Sequence, residues 1–276
     1  LVMNYKGIIL AGGNGSRLLP MTMALSKHLL PVFNNPMIFF PICTLIDIGI
    51  KEILIITKEK DAPQFKNLLG NGSDFGISIS YEIQNKPSGI AESLKIGNQF
   101  IKNSNIALIL GDNLFYGDGI ISKLKKVMLS HNGAGIVGKK VKNPERFGVI
   151  TIKKNKIFSI IEKPKNPSSN IALTGIYFFN NSAIAKTNKL LPSKRGELEI
   201  VDLINKYHMA DEVSFRLLND NDVWLDMGTP ESLFDANCLI KDINSKGMKI
   251  GNIEDLALKK GLINKKEYLL ITSKMR

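Results

Sequence analysis

Residues 7–32 read GIILAGGNGSRLLPMTMALSKHLLPV. The apolar run ending in Ala11 reads as a buried strand, and Gly12-Gly13-Asn14-Gly15 follows it directly. A glycine loop after a strand ordinarily opens a helix whose N-terminus holds a phosphate. Here Pro20 and Pro31 forbid a long helix, since each lacks an amide hydrogen and crowds the turn before it. Two cations, Arg17 and Lys27, occupy the irregular stretch instead. Neither familiar phosphate loop fits. The dinucleotide fingerprint would place its third glycine at position 18, which is Leu18, and no Gly-Lys-Ser/Thr triplet exists for a Walker A loop. What remains is an anion-binding concavity of consecutive backbone amides with cations around it.

Outward from this loop the first half alternates. Strand-like runs at 5–11, 52–57, 77–83 and 105–110 are separated by helix-like segments, among them GIAESLKIGNQFI, where Ile90, Leu94, Gly97 and Ile101 recur on one face. That rhythm predicts a parallel sheet covered by helices. A further strand is expected at 133–141, a hairpin turning at Lys153–Lys156, a buried strand at 171–180 and a helix at 198–207. Two short strands follow within 213–227, then a helix from Pro230 that stops near Gly247. The expected architecture is one continuous α/β unit, with a Rossmann-like N-terminal half running into a mixed-sheet C-terminal half. Residues after about 250 read as helical and peripheral.

Composition narrows the function classes. The chain has 276 residues, 44% of them hydrophobic, with a mean hydropathy near zero, which fits a soluble globular protein. Its most apolar stretch, PMIFFPICTLI at 36–46, is broken by Pro41, so no membrane span is expected. Leu1 and Val2 precede Met3, which reads as the natural start; the short apolar run at 7–11 is no signal peptide. Cys43 and Cys238 stand alone, a pattern that points to the reducing cytoplasm. The net charge of +12 comes from scattered lysines, without a basic tail or aromatic interleaving, so no nucleic-acid partner is expected. Only five of the 37 basic residues are arginine, and two of them, Arg17 and Arg195, lie close to glycines. Arginine's planar fork suits bidentate oxyanion contacts, which makes both candidate phosphate clamps.

Further candidates sit at strand ends, where open α/β sheets bind ligands. Asp112 ends one buried strand and Asp226 another; if they meet, they could hold one Mg²⁺ with phosphate oxygens completing its shell. Glu162-Lys163 ends a hairpin strand. His28, His131 and His208 are isolated and read as structural or exposed, so no protein nucleophile is evident. Cations and metal ligands without a nucleophile suit phosphoryl or nucleotidyl transfer, which is mostly positioning and charge neutralisation.

The motifs GIILAGGNGSRLLPMTMALSKHLLPV, LGDN, PERFGV, EKP, TGIYFF, RGELEI and WLDMGT occur in an order and spacing that resembles the sugar-nucleotide pyrophosphorylases, most closely their bacterial branch acting on dTTP and glucose 1-phosphate. The resemblance runs from about residue 5 to 265. It implies a nucleotidyltransferase of the nucleotide-diphospho-sugar transferase fold that makes dTDP-glucose and pyrophosphate for deoxysugar and surface polysaccharide synthesis. It also implies one domain over 3–250, with a nucleotide-binding half to about 130, a sugar-phosphate-binding half from about 131, and a short segment at 251–276.

Carried over by position, Gly12, Gly13, Gly15, Ser16 and Arg17 would wrap the triphosphate, Lys27 would reach the phosphates being cut, and Gln84 and Gly89 would read the base. Asp112 and Asp226 would hold Mg²⁺. Asn113, Gly148, Glu162 and the backbone near Thr174 would bind the sugar, and Lys163 and Arg195 would steer its phosphate. A homo-oligomer, dimer or tetramer, is implied as well. Met227, Phe147, Ile161, Ser88 and Glu92 depart from the family's usual Thr, Tyr, acid, Asp and Gln. Those departures touch substrate preference and leave the phosphate and metal positions intact. The alternatives are a relative using UTP or another hexose 1-phosphate, or a silent paralogue that only binds a sugar nucleotide.

Overall fold

Strand and helix alternate through the first 130 residues as the apolar rhythm predicts. The computed structural model describes residues 4–274; the start read at Met3 lies outside them. In chain order come β1 (Tyr5–Leu10), β2 (Pro31–Val32), β3 (Asn35–Pro36), α1 (Phe39–Ile48), β4 (Glu52–Thr57), α2 (Ala62–Leu69) and β5 (Ser78–Ile83). Next are α3 (Glu92–Ile96), α4 (Asn98–Ile101), β6 (Asn105–Leu110), β7 (Asn113–Tyr116), α5 (Ile120–Ser130), β8 (Ala134–Lys140), β9 (Gly148–Lys153) and β10 (Lys156–Glu162). The chain ends with β11 (Ile171–Phe179), α6 (Ala183–Asn188), α7 (Ile200–His208), β12 (Val213–Leu217), β13 (Val223–Asp226), α8 (Pro230–Ser245), α9 (Ile253–Lys259) and α10 (Lys265–Lys274). The helix expected over 89–101 is two short helices, interrupted at Gly97, which favours non-helical backbone. The short strand β7 and the helix α6 were not legible as elements.

Contacts divide the chain into two units, each threaded from three stretches. The first comprises the residues up to Tyr5, Ser88–Leu108 and Tyr116–Trp224; the second comprises Lys6–Pro87, Ile109–Phe115 and the chain from Leu225 onward. These groupings are interleaved along the chain, where the sequence reading expects two halves meeting near residue 130. The last residues of β6 and β13 belong with the second unit, whereas the first residues of each strand belong with the first.

In the second unit, β1, β4 and β5 form a parallel array, with Gly7 opposite Ile53 and Ile53 opposite Ile79. Ile8, Ile9, Ile53, Ile55 and Ile56 are buried on both faces, which is why these strands read as continuous apolar runs. α1 packs against α9, whose Ile253 and Ala257 are fully buried. The C-terminal segment expected to be peripheral thus contributes to the core of this unit. Its last helix, α10, is the looser part: Leu269 and Leu270 are exposed, while the Tyr268 hydroxyl donates to Asp255 at 2.7 Å.

In the first unit, β9 and β10 make the expected hairpin, β11 runs antiparallel to both β9 and β8, and β12 lies parallel to β8. β11 is buried along its whole length. The Tyr5 hydroxyl donates to the Met128 carbonyl and lies 2.6 Å from His131 Nε2. Burial pushes the His131 imidazole down from 6.5 to about 4. Between those values the unfolded chain binds a proton that the folded chain refuses, so stability is lost as pH falls through the window. A His131→Asn variant is expected to show a smaller drop in thermal midpoint between pH 6.5 and 4 than the parent protein. Equal drops in the two melting series would clear His131 of the acid sensitivity.

Candidate active site

The second unit gathers the glycine loop, two cations and two carboxylates. Instead of a helix, three single 3₁₀ turns follow the loop, at Ser16–Leu18, Met21–Met23 and Lys27–Leu29. They fold the chain back on itself: the Thr22 hydroxyl donates to the Gly15 carbonyl at 2.8 Å, and Leu18 is fully buried as an anchor. This return places Lys27 beside the loop, where a carbon added at Gly13 would stand 3.7 Å from Lys27 Nζ. Such a carbon at Gly12 would stand 3.3 Å from Gln84 Oε1, so the buried Gln84 amide lies against the start of the loop.

Lys27 Nζ donates to Asp112 Oδ2 at 2.5 Å, and Asn113 Nδ2 donates to Asp112 Oδ1 at 3.0 Å. Asp112 is positioned by its backbone: the Gly111 amide donates to the Leu10 carbonyl at 3.0 Å, and the Met227 amide donates to the Asp112 carbonyl at 2.9 Å. These two bonds bring the end of β1, Asp112 and the residue after Asp226 together. Burial alone would raise the Asp112 carboxyl, but the Lys27 ammonium outweighs it and holds the acid well below the usual carboxylate range. Asp226 moves the other way. Burial first, and the Asp112 carboxylate second, push it up to about 6, against the pull of Lys27 and Arg17.

Gly228 was quoted within a motif but given no role by sequence reasoning. A carbon at this position would collide with Arg17 Nη2 at 2.7 Å and Asp226 Oδ1 at 2.9 Å. The Arg17 guanidinium and the Asp226 carboxylate therefore both rest on the bare Gly228 backbone. The next residue, Thr229, caps α8, with its Oγ1 accepting from the Ser232 amide at 3.3 Å. A glycine wedged between a strand-end acid and a helix cap is the signal that could have singled it out. His28 is also part of this setting: it is buried and pushed down to about 3 by desolvation and by Lys27, so it stays neutral and structural, as its isolation suggested.

Two carboxylates lie here beside two cations, one acid paired with Lys27 and the other raised by burial and by its neighbour, and the donor atoms open to a metal are all oxygen. That chemistry fits a hard divalent cation completed by phosphate oxygens. Among the described residues no group of three or more His, Cys, Asp or Glu could hold a metal ion; Asp112 and Asp226 are the two acids that meet at this loop.

Of the residues expected around the sugar phosphate, the first unit holds Gly148, Glu162, Lys163, Thr174 and Arg195, whereas Asn113 falls in the second. Glu162 pairs with Gly148 across the β9–β10 hairpin, and the Lys163 amide, at a positive φ of 41°, donates to the Phe147 carbonyl at 3.0 Å. Lys163 Nζ lies 3.6 Å from Glu162 Oε1. Burial raises the Glu162 carboxyl, with Lys163 opposing. Arg195 departs from the expected open oxyanion clamp. Its Nη2 reaches both Glu199 oxygens at 2.9 Å, Glu162 Oε1 at 3.3 Å and Glu197 Oε2 at 3.3 Å. Two of these three carboxylates are local, since RGELE places acids two and four residues beyond the arginine; Glu162 reaches it from the end of β10. The Thr174 hydroxyl donates to the Val137 carbonyl at 3.1 Å inside the sheet, leaving its backbone as the part that could face a ligand.

Gly89 belongs to this unit too, with a φ of 101° that favours glycine. A side-chain carbon there would lie 2.3 Å from the Leu198 carbonyl oxygen. The Leu198 amide donates to the Ser88 carbonyl at 2.7 Å and the Ala91 amide to the Leu198 carbonyl at 3.1 Å, so the loops around 89 and 198 are stitched together. Gln84 and Gly89, expected to share the base, fall in different units. Phe147, which lacks the family's hydroxyl, packs edge-on to Trp224 with ring centroids 5.2 Å apart.

The profile of a nucleotidyl transferase family matches residues 6–243. A glucose-1-phosphate thymidylyltransferase of Neisseria meningitidis is 46% identical over 261 residues, 94% of this chain and 91% of its own length. Its counterpart from Mycolicibacterium smegmatis is 43% identical over 94% of this chain and 90% of that protein. A solved Bacillus anthracis structure assigned the same activity, in complex with sucrose, superposes with a TM-score of 0.80 at 41% identity, covering 87% of this chain and 96% of that one.

Proposed function

The chain belongs to the nucleotidyl transferase family, and from that premise we propose that it converts dTTP and α-D-glucose 1-phosphate to dTDP-glucose and pyrophosphate. The observation that carries this reading is the meeting of Arg17, Lys27, Asp112 and Asp226 at the mouth of the glycine loop. The reaction needs no nucleophile from the protein. A phosphate oxygen of the sugar phosphate, already anionic at neutral pH, attacks the α-phosphorus in line. The bond from that phosphorus to the bridging oxygen breaks, and pyrophosphate leaves with the electron pair.

Each residue has a part in this reading. The amides of Gly12, Gly13, Gly15 and Ser16 cradle the triphosphate, and Arg17 and Lys27 neutralise charge as it shifts toward the leaving group. Gln84 and Gly89 read the base. Asp112 and Asp226 hold Mg²⁺, which when bound screens the phosphate oxygens. Asn113, Gly148, Glu162 and the Thr174 backbone bind sugar hydroxyls, while Lys163 and Arg195 steer the sugar phosphate, Arg195 also holding the Glu162 carboxylate in place for the hydroxyls. The relatives named for this activity support the choice of substrates. No helix among the described residues is long and apolar enough to cross a membrane. Together with two free cysteines, this supports a cytoplasmic enzyme, and the family resemblance supports a homo-oligomer feeding deoxysugar synthesis.

The test is pyrophosphate release over a panel of dTTP and UTP with several hexose 1-phosphates. Fastest turnover is expected with dTTP and glucose 1-phosphate under Mg²⁺. A preference for UTP or another sugar would move the protein to a sister activity. Tight nucleotide binding without pyrophosphate release would make it a silent paralogue.

A further inference from the structure

One cation beside the glycine loop has no part in the reaction as described. Lys58 is the first residue beyond β4, and β4 lies parallel to β1, with Leu10 opposite Ile56. At their carboxyl ends three contacts converge. The Ala11 amide donates to the Ile56 carbonyl at 2.7 Å, the Thr57 hydroxyl donates to the Ala11 carbonyl at 3.4 Å, and the Gln84 amide donates to the Thr57 carbonyl at 2.8 Å. Lys58 thus leaves the sheet where the glycine loop begins and the buried Gln84 amide lies.

Lys58 Nζ donates to Asn14 Oδ1, in the middle of that loop. Asn14 follows Gly13, the residue that faces the Lys27 ammonium, so two lysines approach adjacent residues of the loop. The partner of Lys58 is an uncharged amide, unlike the carboxylate that holds Lys27. Its charge is felt inside the site: it helps to depress the buried His28, alongside Lys27. A lysine ammonium resting on a neutral acceptor gains by exchanging it for an anionic oxygen, because the new contact adds charge–charge attraction to the hydrogen bond.

We infer that Lys58 is a further polyphosphate-binding cation of this site, released from Asn14 to a phosphate oxygen when a nucleoside triphosphate or pyrophosphate enters the loop. The inference rests on reading Gly12–Gly15 as a polyphosphate cradle. It makes Lys58 a determinant of affinity for chains of phosphates over a single phosphate.

The experiment is calorimetric binding of dTTP, inorganic pyrophosphate and dTMP, with Mg²⁺, to the parent chain and to Lys58→Gln, Lys58→Arg and Asn14→Ser. Glutamine keeps a donor for Asn14 and discards the charge. Lys58→Gln is expected to weaken dTTP and pyrophosphate roughly tenfold, the scale of one hydrogen bond to a charged group, and to flatten their salt dependence. Binding of dTMP should change by less than about twofold in the same variant, as expected when the lost charge faces the outer phosphates. Arginine should hold parent affinity, and Asn14→Ser should bind dTTP at least as well as the parent. The inference falls if Lys58→Gln matches the parent on dTTP and pyrophosphate, or if dTMP weakens equally, which would make Lys58 a brace for the loop. A parent protein that binds pyrophosphate but releases none from dTTP and glucose 1-phosphate would sink the proposed reaction while leaving the Lys58 comparison readable.

Discussion

Arg17→Ala is expected to lower turnover by about three to five orders of magnitude, the range known for arginines that neutralise charge in phosphoryl transfer. The side chain is exposed and rests on Gly228 beside Asp226, so it contributes little packing. Its removal should therefore leave the thermal midpoint nearly unchanged, within the roughly ±0.5 kcal/mol typical of surface substitutions. The loss should fall on kcat rather than on the KM for dTTP, since an interaction made mainly in the transition state lowers kcat and kcat/KM together. Steady-state pyrophosphate release measures both. A decrease under about tenfold would remove Arg17 from the mechanism, since arginines of this kind contribute far more.

The second large effect concerns stability as well as rate. Lys27 and Asp112 form a pair whose side chains are only 12% and 8% exposed. Replacing Lys27 by methionine keeps the volume but leaves Asp112 and Asp226 facing each other without their nearest cation. Breaking a buried pair from one side costs about 3–5 kcal/mol. For a chain of this size that is a fall of roughly 6–20 °C in thermal midpoint. In the parent, the depressed Asp112 carboxyl contributes stability above its ordinary pKa that is lost only as pH falls through the lower folded value. In the variant both acids are raised, so the deficit is largest near neutrality and narrows as the pH drops toward 4 and they take up protons. Mg²⁺ should raise the midpoint of Lys27→Met more than that of the parent, because the ion takes the place of the missing ammonium. Calorimetric scans with and without Mg²⁺ across this pH range check each part; a variant as stable as its parent would mean the pair contributes nothing.

What could be read from the chain, and what could not, follows from the range of the interactions involved. Element types were legible because burial leaves a local trace: the isoleucines of β1 and β4 and the helical spacing in α7 are visible within a few residues. The strand-end positions of Asp112 and Asp226 were visible in the same way. Their meeting was not, because it is made by backbone bonds such as Met227 to Asp112, which join residues over a hundred positions apart. Arg195 shows both ranges at once. Two of its carboxylate partners, Glu197 and Glu199, lie within four residues and are legible in RGELE, whereas Glu162 is brought to it by the fold. The burial of α9 escaped notice because a short helix with mixed polarity has too little periodicity to announce which face it covers.

The seam between Ser88–Ala91 and Leu198 binds more than two pieces of backbone. The stretch proposed to recognise a pyrimidine and the stretch that supports the hexose side are, mechanically, a single part. A shift of one loop is expected to carry the other with it through the two backbone bonds at Leu198. Grafting either loop alone from a cousin would import half of a matched set. On the proposed reading, redesign toward a new sugar nucleotide is expected to work better when both loops are exchanged together.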